Sequence, residues 1–92
     1  MSQLNDLWVT YLQGLGYTGK NYNDLLQRAL RFYGSSQRKN LNDLWKEYLT
    51  ERGYTGSVPD MQYKWLGDKG YTGNLNDRFV AALEANDLFT TP

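Results

Sequence analysis

Five carboxylates stand at matched places along these 92 residues: Asp6, Asp24, Asp43, Asp60 and Asp77. Repeated carboxylates can work as acid–base pairs or as calcium ligands. A calcium loop, however, gathers several oxygen ligands within about a dozen residues, and successive members of this set lie 17 to 19 residues apart. The rest of the inventory narrows the chemistry further. The chain has no His and no Cys, which removes the commonest general base, the thiolate nucleophile and the usual transition-metal ligands. The expectation is therefore a non-enzymatic protein with no catalytic residues, no cofactor, no metal and no small-molecule substrate.

Aromatic side chains are the next candidates, with three Trp, eight Tyr and three Phe. Trp8, Trp45 and Trp65 could stack on sugars, bases or proline, but they fall on an apolar helical stripe and are expected in the core. Tyr17, Tyr54 and Tyr71 recur in like loops, where a Tyr that follows a helix can fold back on its last turn. Phe32, Tyr63, Val9 and Val80 lie off the main stripe, so exposure there would mark a contact surface. Leu88 and Phe89, near the end of the chain, either cap the core or insert into a partner.

Charge adds one local anomaly. Lys20, Arg28, Arg31, Arg38 and Lys39 face only Asp24 between residues 20 and 40, a local balance of plus four. Residues 75–92 carry Asp77, Glu84 and Asp87 against Arg78, so copies of the chain could associate basic patch to acidic end. The candidate partner-binding residues are thus Arg28, Arg31, Phe32, Arg38, Lys39, Tyr63, Leu88 and Phe89. Ten basic and ten acidic residues cancel over the whole chain. Nucleic acid is accordingly not the expected partner, since the patch carries no recognised motif for it.

The elements that must position these residues follow from an internal repeat. Leu4-Asn5-Asp6 returns as Tyr22-Asn23-Asp24, Leu41-Asn42-Asp43, Val58-Pro59-Asp60 and Leu75-Asn76-Asp77. In the third unit Leu41, Leu44, Trp45, Tyr48 and Leu49 stand at offsets 0, 3, 4, 7 and 8, one face of an amphipathic helix. The other units keep that pattern and none fits strand alternation. A polar residue precedes each stripe (Gln3, Asn21, Asn40, Ser57, Asn74), and the Asp three places on completes the spacing of a capping box. Pro59 suits a first turn and not a helix interior. Gly16, Gly53 and Gly70 stand where the stripe stops, suited to the left-handed residue that closes a helix.

These signals predict an all-α protein: five short helices of about 11 or 12 residues, from tandem helix-turn repeats of 17–19 residues, packed in a small bundle or array. The units run 4–21, 22–40, 41–57, 58–74 and 75–92 within a single domain 1–92. Helices this short are marginal alone, so one unit is not expected to fold by itself. The N-terminus lacks the basic and apolar regions of a secretion signal, and no stretch approaches the ~20 apolar residues that span a bilayer. A soluble protein is expected.

The pattern Gly-Tyr-Thr-Gly-Asn-Leu-Asn-Asp at residues 70–77, with altered copies elsewhere, resembles short repeats in small tailed-bacteriophage proteins and in the tails of some phage structural proteins. That resemblance covers nearly the whole chain. It implies a virion component assembled in the host cytoplasm: a minor capsid, decoration or tail-associated protein whose partner is another virion protein of the capsid or tail, or copies of itself. Unit two lacks the Gly-Tyr-Thr-Gly loop and departs from the pattern. A second likeness, carried by Leu12-Gln13-Gly14-Leu15-Gly16-Tyr17-Thr18-Gly19, is to helical peptidoglycan-binding domains, and implies a glycan-binding module. A nucleic-acid-binding regulator, resting on the basic segment alone, is the third reading.

Overall fold

The computed structural model describes residues 3–33 and 40–89. It contains five helices: α1 (Gln3–Gly14), α2 (Tyr22–Tyr33), α3 (Leu41–Glu51), α4 (Val58–Asp68) and α5 (Leu75–Glu84). The fold is all-α. Among the described residues there is no strand, and no helix is long and apolar enough to cross a membrane.

Four of the five helices begin on the residue at which the repeat places them, and their caps show why. The side chains of Asn21, Asn40, Ser57 and Asn74 accept from the backbone N–H of Asp24, Asp43, Asp60 and Asp77, at 3.0, 2.9, 3.3 and 2.8 Å. Each cap satisfies one of the four N–H groups that a helix start leaves without a partner. The first unit differs, because Gln3 opens α1 itself and does not precede it.

The helix ends are equally regular. After α1, α3 and α4 the N–H groups of Gly16, Gly53 and Gly70 donate to the carbonyls of Gln13, Thr50 and Gly67. Those of Tyr17, Tyr54 and Tyr71 donate to Leu12, Leu49 and Leu66. This paired 5→2 and 6→1 pattern is the Schellman motif, and it requires a positive φ at the glycine. The three values are +100°, +91° and +101°. The fifth unit, which has Asp87-Leu88-Phe89-Thr90 where others have Gly-Tyr-Thr-Gly, ends its helix in the same way. Asn86 takes φ +53°, its N–H donates to Leu83, and the N–H of Asp87 donates to Ala82. Asn is the non-glycine residue best suited to that conformation, because its short polar side chain bonds locally.

Each helix packs on the next in sequence, and α5 packs back on α1. The repeats therefore close into a ring, with extents of 29 × 28 × 28 Å, and do not form an open array. Offset 8 of every unit is a buried leucine: Leu12, Leu30, Leu49, Leu66 and Leu83. Offset 7 is aromatic in three units (Tyr11, Tyr48, Trp65) and alanine in the other two (Ala29, Ala82). The helices alone thus supply less volume at the centre on the sides of α2 and α5. Phe89 takes the centre, its ring 5.4–6.3 Å from those of Trp8, Tyr11, Tyr33, Trp45, Tyr48 and Trp65. It is held from behind by Tyr11, whose hydroxyl oxygen accepts from the N–H groups of Phe89 at 2.7 Å and Leu88 at 3.3 Å.

Candidate interaction surface

A fold that buries its stripes this completely leaves few large apolar side chains outside. Among the described residues these are Phe32 (75% exposed), Tyr63 (44%) and Leu15 (40%). Trp8, Trp45 and Trp65 are all buried, so none presents a stacking face to a sugar or a base. Carboxylates offer no alternative centre. The five repeated Asp residues sit one to a helix start, and no group of three or more His, Cys, Asp or Glu placed to hold a metal exists among the described residues.

Phe32 belongs to α2. That helix turns Leu25, Leu26, Ala29 and Leu30 inward, which by the 3.6-residue period directs Arg28, Arg31 and Phe32 outward as one i, i+3, i+4 stripe. The stripe is set by a short ladder of side chains. Gln27 Nε2 donates to Asn23 Oδ1 at 2.9 Å, and Arg31 Nη1 donates to Gln27 Oε1 at 3.3 Å. Phe32 meets the ring of Tyr33 edge-on at 5.0 Å and that of Tyr17 at 6.4 Å. Tyr33 in turn stacks on Phe89 at 5.4 Å with the planes 13° apart. The exposed ring is therefore braced through Tyr33 on the centre of the core. Burial, with Tyr33 beside it, pushes the Tyr17 phenol up to about 12.

Tyr63 is a different kind of residue. The guanidinium of Arg78 lies 3.6 Å from its ring centroid, while Arg78 Nη1 donates to the Tyr63 carbonyl at 3.1 Å and Nε to the Gly73 carbonyl at 2.8 Å. One face of Tyr63 is thus spent on joining α4 to α5. Val9 and Val80 are half-buried, and Val9 packs against the core.

Two sequence-derived candidates are corrected. Leu88 and Phe89 are 1% exposed and cap the core, because Asn86 turns the chain inward and Tyr11 anchors it there. They do not form a partner-binding surface. Arg38 and Lys39 lie outside the described residues. What remains together is Arg28, Arg31 and Phe32 on α2, with Tyr17 in the loop before it.

One recurring arrangement has no counterpart in the sequence reading. The hydroxyl of Tyr54 donates to Asp68 Oδ2 and that of Tyr71 to Asp87 Oδ2 at 2.9 Å, while Tyr17 stands beside Tyr33. Each loop Tyr therefore ties the loop in which it stands to the C-terminal end of the following helix. The partners are 14 and 16 residues away. That near-constant spacing is the signal that was present, but the residue met is Asp in two cases and Tyr in the third, and its position drifts by two residues. Asp87 also pairs with Lys69 at 3.7 Å. No family model, curated protein or solved structure matches this chain.

Proposed function

We propose that this protein is a non-enzymatic structural component of a bacteriophage particle, a minor capsid, decoration or tail-associated protein that docks on another virion protein. The carrying observation is the Gly-Tyr-Thr-Gly and Leu-Asn-Asp repeat, which resembles phage structural repeats and in this chain forms the helix caps, helix ends and loop braces. Its polar and aromatic side chains serve packing: the Asp residues sit at helix starts, the loop Tyr residues brace helix ends, and the Trp residues fill the interior. Among the described residues the outer face of α2 carries the most exposed large apolar side chain, Phe32, and is the face we assign to docking. Purified particles analysed by mass spectrometry are expected to contain the protein at a fixed ratio to the major capsid or tail protein. Its absence from particles, or a ratio that varies between preparations, would overturn the proposal.

A further inference from the structure

We infer that the outer face of α2, with Tyr17 of the preceding loop, is a docking site for an acidic protein segment that presents an apolar side chain. This deepens the docking reading above by naming the chemistry of the partner. The repeat supplies an internal control. Phe32 stands at offset 10 of its unit, where the other units carry Gly14, Glu51, Asp68 and Ala85. Four units fold into the same ring without an aromatic there, so the fold does not call for one. In unit two it is 75% exposed and held by Tyr17 and Tyr33 on either side. A large side chain that is braced but uncovered loses little conformational freedom when a partner covers it, which favours its use as an anchor.

Charge selects the occupant. Arg28 is exposed and Arg31 half-exposed, both on the stripe of Phe32. An acidic segment meets this charge, while an apolar side chain from the same segment covers the ring. A phosphate backbone fits less well. Nucleic-acid surfaces depend on many distributed cations, and here Arg28 and Arg31 flank a hydrophobe on a chain of zero net charge.

The test is a titration of the full-length, ¹⁵N-labelled protein followed by amide chemical shifts. Three probes are compared: an amphipathic peptide of Glu and Leu, its Lys and Leu counterpart, and a single-stranded oligodeoxynucleotide. The Glu–Leu peptide is expected to shift the second half of α2 and residues 15–17, with affinity falling as salt rises. Phe32→Ser and the double variant Arg28→Glu/Arg31→Glu should each weaken binding about tenfold or more, with helical circular dichroism unchanged because these side chains lie outside the core. Any of four results overturns the inference: no shifts with the Glu–Leu peptide, equal binding of the Lys–Leu peptide, preference for the oligonucleotide, or shifts centred away from α2. Absence of the protein from particles would remove the virion reading and leave the titration as it stands, so the two failures are distinguishable.

Discussion

Phe89 shows how much can depend on one side chain at the edge of a pattern. It belongs to no helix, yet rings from α1 to α4 converge on it and the Tyr11 hydroxyl fixes its backbone. Truncation by Phe89→Ala is expected to cost about 3–5 kcal/mol, a large part of the roughly 5–15 kcal/mol that holds a domain of this size. Urea unfolding monitored by Trp fluorescence checks this. Tyr11→Phe keeps the ring but leaves the buried N–H of Phe89 without its acceptor, a loss of about 1–3 kcal/mol. A midpoint indistinguishable from the parent in the same assay would show that the bond is dispensable. The sequence left Phe89 between core and partner for a physical reason. Periodicity reports the face of a residue only while the helix lasts, and α5 stops at Glu84. Phe32 was legible for the converse reason, since it sits inside α2 and off the stripe.

Among the elements, the caps were the most readable features and the tyrosine braces the least. A cap is local: the polar residue, the Asp three places on and the closing Gly all act within one turn, so their spacing survives in the sequence. Gly53 illustrates the energetics. A Cβ there would meet nothing within 4 Å, yet φ is +91°, so Gly53→Ala should cost about 1 kcal/mol from backbone conformation alone, measurable as a lower thermal midpoint. The braces join one loop to the end of the next helix, a tertiary relation with no short-range code. They do leave a pH signature. Burial and the Asp68 carboxylate push the Tyr54 phenol up from 10.0 to about 12, and burial does the same for Tyr17. A phenol whose pKa is raised on folding contributes fully below its unfolded value and loses that contribution as pH rises through the folded one. Stability should therefore hold up to about pH 10 and fall between about 10 and 12. Thermal midpoints across that range, read beside phenolate absorbance, check this; in Tyr54→Phe the fall should be shallower.

At the scale of the molecule, closure was not legible. Five units and their inward faces follow from the repeat, but whether they form an open stack or a ring depends on the rotation from each unit to the next, which the spacing of apolar residues does not encode. The structure joins α5 to α1, and this changes how the chain responds to shortening. In an open array, loss of a terminal repeat removes one interface and leaves the others standing. Here a chain of residues 1–74 loses two interfaces and the central Phe89 together. It is expected to give a broad, non-cooperative thermal transition and collapsed amide dispersion in NMR. A cooperative transition shifted by only a few degrees would indicate that the first four units stand without closure.

The bond from Tyr11 to the backbone of Leu88 and Phe89 spans 77 and 78 residues. At about 5–20 residues per second, roughly 4–16 s separate the synthesis of its two ends. Until Phe79 and Phe89 are made, Trp8 and later Trp45 lack the rings that shield them in the finished ring. A chain halted before the fifth unit keeps these indole faces uncovered and is expected to associate with other chains, so the order of synthesis places the most exposed state last before closure.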